Sequence, residues 1–365
     1  MAHPCMKRWY LTSNRDVGEG TIREEKIVKK MTFVSVVFVA VVLLLTGVLT
    51  VKESEAAPAI VLKAISAWPV SHVGNDYYKE FIKRVNDRAK GELEIKLLGG
   101  PEIVSVFDQL KALSTGTVDV VHAANSYYAG AVPEGTVVDL ALPNELIPFL
   151  RESGVWDTYV QSYIERGKAV FLGITWIGMP FYVMTNKPVA KLEDIKGMKL
   201  RSMGGLIDIL VGGTGASVVK IASAEVYEGL QRGIVDGAIR NTISLIEFKE
   251  YEVLKYIVSP PFCTSSGAVW IGEKKWETIP KHLQTMIKEV MVETEKEAFT
   301  YYAKIDKARL KEAQEKHGMK IIYLGKNDVA KFNEIRTSAP IKDWIIKRAP
   351  KFGPTIYEKM LPYLK

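Results

Sequence analysis

A chain of 365 residues, 47% hydrophobic and 25% charged, has the composition of a globular protein and the length of about two domains. Its net charge of +7 comes from cations interspersed with acids, which excludes the basic stripe of a nucleic-acid-binding protein. No low-complexity tract, block of like charge or solenoid-type repeat interrupts it.

Residues 1–30 read as unstructured, and residues 23–59 carry an address. Arg23, Lys26, Lys29 and Lys30 precede an apolar run from Phe33 to Val51, and the small residues of SEAAPA (54–59) come next. A basic flank, an apolar run and small residues describe a secretory signal peptide, cut after Ala56. The run is also just long enough for an uncleaved membrane anchor. Either way the remainder is expected to be exported.

From residue 59 the chain alternates. AIVLKAISAW (59–68) is strand-like and is followed by the amphipathic helix 73–91, closed by glycine. Strand 92–98, helix 106–116 and strand 118–124 repeat the pattern. AVFLGITWI (169–177) reads as a buried strand, MPFYVMTN (179–186) and MKLRSM (198–203) as short ones, and 223–239 as helix then strand. VGGTGAS (211–217) lacks the third glycine of a dinucleotide motif and reads as a turn at a helix end. Strands alternating with helices predict a mostly parallel sheet covered on both faces, here in two lobes. From Pro280 to His317 no glycine and no further proline occurs, and Gly318 ends the run. A helix of roughly 35 residues is about 50 Å long, which suits one lying across both lobes.

The chain offers no catalytic chemistry. Cys5 falls in the signal, which leaves Cys263 alone in the apolar setting PPFC, a buried structural thiol. His72, His122, His282 and His317 lack zinc-ligand spacing. No HExxH, GxSxG or P-loop pattern occurs. Neither an enzyme, a metal nor a cofactor is expected.

Two stretches are specific. DIKGMKLR (194–201) and EVYEGLQRGIVDG (225–237), with WETIPKHLQ (276–284) and the long helix behind them, resemble TRAP-transporter substrate-binding proteins of the DctP type over the whole of 57–365. The resemblance implies an α/β fold of the two-lobed periplasmic-binding-protein kind (type II-like), with hinge strands and a long helix spanning both lobes. It implies a monomeric receptor that captures a small organic acid by closure and delivers it to the membrane permease of a sodium-driven TRAP transporter. The expected division is 1–56 as extension and signal, 57–178 plus 267–306 as one lobe, 179–266 plus 307–340 as the other, and 341–365 packed on both. Hinges are expected at Gly178–Met179 and Ser266–Gly267. A periplasmic sensor module for a signalling partner would show the same cleft.

The resemblance also implies that Arg201, which closes the KGMKLR motif, binds the ligand carboxylate. A guanidinium fork pairs bidentately with a carboxylate where lysine is a point charge. The alternative is a surface ion pair. Lys199 should share a strand face with Arg201, so a cleft-facing Arg201 needs a bulge or a strand end between them. Relatives often carry a second arginine where this chain has Phe181, and DGAIRN (236–241) places Arg240 where relatives have asparagine. Arg240 is thus either a second donor to the ligand or a solvated loop residue. Trp68, Tyr127, Tyr128, Trp176 and Trp270 sit at strand ends and crossovers, each either core or cleft wall. Asn125 and Glu102 either meet a polar end of the ligand or cap a helix. With Phe181 in place of an arginine, the favoured ligand is a monocarboxylate with an apolar or aromatic body.

Overall fold

A computed structural model describes residues 60–141 and 149–364. The signal-peptide reading lies outside the described residues. No helix among them is long and apolar enough to cross a membrane.

The strands are β1 (Ile60–Ser66), β2 (Leu93–Gly99), β3 (Val120–Ala124), β4 (Ala169–Thr185), β5 (Lys199–Ser202), β6 (Ser217–Lys220), β7 (Gly237–Arg240), β8 (Tyr256–Gly272) and β9 (Lys320–Tyr323). They form one sheet in the order β2-β1-β3-β8-β4-β7-β5-β6, with β9 pairing β8. Five of the eight pairings among the described strands are parallel, as expected, and the three antiparallel ones make the sheet mixed. Each wing is parallel, β2-β1-β3 on one side and β7-β5-β6 on the other, as helical crossovers dictate. The centre is antiparallel, where β8 meets β3 and β4, and β4 meets β7.

The centre holds a correction. The strands expected at 169–177 and 179–186 are one 17-residue strand, β4, every residue of it buried. Its sequence, AVFLGITWIGMPFYVMT, contains no charge, as a strand covered on both faces requires. Gly178 reads as a breaker in sequence, yet the chain passes through it at φ 75° without leaving the sheet. The register with β8 shifts between Trp176 and Met179, opposite Gly267 and Ser265, so both 17-residue strands are irregular where they cross from one wing to the other.

The long helix spans Lys281–Glu315; it is called the spine helix below. It packs Leu283, Ile287, Val290, Met291, Ala298 and Tyr302 inward at helical spacing. Glu295 and Asp306 are its buried acids, and the partners of Glu295 explain it: Oε1 accepts from the Ile174 amide at 2.8 Å, and Arg151 donates to Oε2. The carboxylate thus ties the spine to an irregular point of β4. Arg84 and Arg88 on the helix Asp76–Ala89 pair with Glu297 and Glu293 of the spine. Cys263 is buried as expected, and burial pushes its thiol up and out of reactivity. The 211–217 stretch is a helix-end turn, since Leu206–Gly213 is helical and β6 begins at Ser217.

Candidate ligand-binding site

Two arginines emerge at the C-terminal ends of neighbouring parallel strands, the place where open α/β sheets meet ligands. Arg201 is 1% exposed although it sits one residue from the end of β5. The β5–β6 ladder is regular from Lys199 to Ser202, so no bulge turns the chain. Lys199 opens the strand and is exposed, while Arg201 near its other end is covered.

The Arg201 guanidinium has no carboxylate. Its Nε donates to the Ile221 carbonyl at 2.9 Å and its Nη1 to the Ile239 carbonyl at 3.3 Å, while its Nη2 has no partner. Burial, and after it the charge of Arg240, push its pKa down to about 10. It therefore stays charged at neutral pH, a buried cation bonded to two carbonyls, with Tyr127 and the more distant Glu250 charge also favouring its charged form.

Arg240 is the opposite case. Its Nε donates to both oxygens of Glu250, its Nη1 to Ser223 Oγ at 2.7 Å, and its Nη2 to the Ser223 carbonyl and to Glu250. Arg240 is 2% exposed and Glu250 fully buried. Its alternative reading as a solvated loop residue is corrected accordingly. Arg240 lines the cavity, but its charge is spoken for.

Around Arg201 stand Trp68, Tyr127, Trp176 and Phe181, all nearly buried and all lining the same cavity as the two arginines. Trp68 and Trp176 meet edge to face with centroids 4.8 Å apart. Behind them, burial lowers the pKa of both His72 and His122 to about 3, so both imidazoles are neutral. Sequence reasoning missed the polar part of the lining, Ser223, Asn241, Ser244, Ser265 and Ser266, together with Met203. Asn241 directly follows Arg240, and its Oδ1 accepts from the Ser244 amide at 2.8 Å, capping the helix Thr242–Glu247. Ser266 was legible only as a hinge residue.

Four expected residues lie elsewhere. Trp270 and Tyr128 pack on each other in the core, where Trp270 also meets Tyr163 and Phe171. Asn125 is buried with its Oδ1 accepting from the Tyr159 and Tyr163 hydroxyls. Glu102 is exposed and its Oε1 accepts from the Gly100 amide at 2.7 Å, so it closes the GGP turn. A residue at a strand end reaches the cavity only from the correct face, and these four do not.

The cavity is contracted, about 20 Å³, which is close to the room of one water. Two larger grooves, one by Lys196 and Lys331 and one by Lys111 and Arg166, are open. Lys331 is paired with Glu193 there and Arg166 donates to a carbonyl. Only the small cavity holds a buried cation lacking an anion among the described residues.

Residues 65–341 match the model of the bacterial extracellular solute-binding protein family 7, DctP. The chain belongs to this family. A solute-binding protein from Albidiferax ferrireducens is 27% identical over 278 residues, 73% of this chain and 80% of that one. The sialic acid-binding periplasmic protein SiaP of Vibrio cholerae is 24% identical over 66% of this chain and 75% of its own length. Among solved structures, a TRAP periplasmic solute-binding protein from Desulfovibrio salexigens with bound orotic acid superposes with a TM-score of 0.76 at 21% identity. It covers 83% of this chain and 98% of its own. A Bordetella pertussis extracytoplasmic solute receptor binding pyroglutamic acid gives 0.72 at 16%, covering 82% and 98%. The fold is therefore the two-lobed one of periplasmic solute receptors. The cavity of this DctP-family chain combines a buried cation, polar donors and aromatic walls.

Proposed function

We propose that this protein is the solute receptor of a sodium-coupled TRAP transporter, exported through its first 56 residues and monomeric. It captures one small organic acid through an Arg201–carboxylate clamp and hands it to the membrane permease. The observation that carries the reading is the Arg201 guanidinium, buried and charged with one face unpartnered. Leaving a charge buried and unpaired costs several kcal/mol, so the site is built for an anion that completes it. The orotate and pyroglutamate of the similar structures are both carboxylates.

The lining favours a single carboxylate on an apolar or aromatic body. Phe181 lines the cavity at the position where the resemblance implies a second arginine in many relatives, and Arg240 is paired with Glu250. Among the described lining residues, no cation besides Arg201 is left without an anion to meet a second carboxylate. Lobes divided as 57–178 plus 267–306 and 179–266 plus 307–340 would part at the irregular crossings near Gly178 and Ser266 to admit the solute. They then close to the contracted state, which only the bound acid favours from both sides.

Thermal unfolding of the purified protein against a panel of organic acids tests this. At a hundredfold excess over Kd, one site stabilises the fold by about 2.7 kcal/mol, a rise of roughly 5 °C for a chain of this size. Arg201→Ala should abolish the rise. A rise of equal size in that variant would place the anion elsewhere.

A further inference from the structure

Four polar atoms of the cavity wall are buried and have no partner in the protein: Arg201 Nη2, Trp176 Nε1, Ser244 Oγ and Ser266 Oγ. The two hydroxyls donate or accept as needed. The guanidinium and the indole N–H can only donate. A buried donor left unmade is costly, and four orphans on one small cavity are too many to be incidental.

The orientation of Trp176 fits a ligand-facing role. A Cβ added at Gly74 would overlap Cε3 and Cζ3 of the indole, so this part of the six-membered ring packs closely on Gly74. Nε1 lies on the opposite edge of the indole. The neighbouring His72 ring, 5.2 Å away, offers it no acceptor: Nδ1 accepts from the Gly74 amide and Nε2 faces Glu247 at 3.8 Å.

The charges on the wall narrow the ligand further. None of the described residues that line the cavity is acidic, and Glu250, which pairs with the lining Arg240, is engaged there. A ligand ammonium would meet the uncompensated Arg201 guanidinium with no lining carboxylate to pair with. Resting on the carboxylate-receptor reading above, we propose that the solute carries, beside its one carboxylate, an uncharged hydrogen-bond acceptor. This group, a carbonyl oxygen or a ring nitrogen, takes the Trp176 indole N–H, and the solute bears no ammonium. Trp176 is then the residue that sets specificity, where Arg201 sets affinity for acids at large.

Matched skeletons test it by calorimetric titration of the full chain and of Trp176→Phe, which keeps an aromatic ring and removes the N–H. One set is butanoate, 2-oxobutanoate and 2-aminobutanoate; the other is phenylacetate, benzoylformate and phenylglycine. In the native protein the oxo acid should bind about tenfold more tightly than its plain counterpart, the worth of one buried hydrogen bond, and the amino acid at least tenfold more weakly. In Trp176→Phe the oxo-to-plain ratio should fall to near one, while a purely structural loss would weaken both acids alike and leave the ratio. Equal native binding of oxo and plain acids, or amino acids bound as tightly as oxo acids, would overturn the inference and leave the carboxylate reading standing. No binding by any of the six would count against that reading itself. The native ratios hold whether or not the variant folds.

Discussion

Arg201 and Arg240 are nearly equally buried, yet their surroundings assign them different work. The first has carbonyl dipoles and an open donor; the second has a carboxylate and a serine. Glu250→Gln separates these roles. Breaking a buried ion pair by neutralising one partner costs about 3–5 kcal/mol, so the urea midpoint of the variant should fall accordingly. The freed Arg240 should then accept a second anion, and succinate should bind the variant better than the native protein. Unchanged stability would mean that the pair contributes nothing to the fold. Arg201 was legible because it closes a motif with a recognisable surrounding. Glu250 was not, because one acid in the run KEYE looks like its neighbours, and only the tertiary path of the chain buries it under an arginine ten residues back. Trp270 failed in the other direction: strand position suggested a wall, but β8 is covered on both faces in this stretch and the ring fell on the core side.

At the scale of elements, the local signals were sound and the long-range ones were not. Periodicity and glycine stops placed the helix at 76–89, the spine helix and most strands, because those patterns are contained within a few turns of chain. Pairing is not contained there, so the antiparallel centre and the continuity of β4 through Gly178 could not be read. That glycine is required for two independent reasons. Its φ of 75° is left-handed, and a Cβ would stand 2.7 Å from Phe299 Cδ2 of the spine. Gly178→Ala should therefore lower the unfolding free energy by about 1–2 kcal/mol from the backbone alone, and more if Phe299 cannot yield. Denaturant titration measures the loss. Because β4 and the spine meet at this point, Phe299→Ala in the same background should recover the steric part and leave the backbone part.

The whole molecule depends on how its two wings are held against each other. Glu247, at the end of the helix after β7, accepts from the Val73 amide at 3.1 Å, beyond β1 in the other wing. Its other oxygen lies 3.9 Å from Arg309 on the spine. One half-buried carboxylate thus joins both wings and the helix behind them, outside the cavity lining. If the contracted arrangement is the one that retains the solute, its population multiplies the intrinsic affinity, and any contact made only in that state raises the apparent affinity. Removing Glu247 should then weaken binding without touching Arg201. Glu247→Ala should raise Kd by about tenfold, the worth of one charge-assisted hydrogen bond, with most of the change in the dissociation rate. Small-angle scattering of the unliganded variant should show a larger radius of gyration than the native protein, and saturating ligand should bring the two together. An affinity loss with no change in radius would assign Glu247 to the stability of one wing rather than to closure, since a broken tie must show first as an opened molecule.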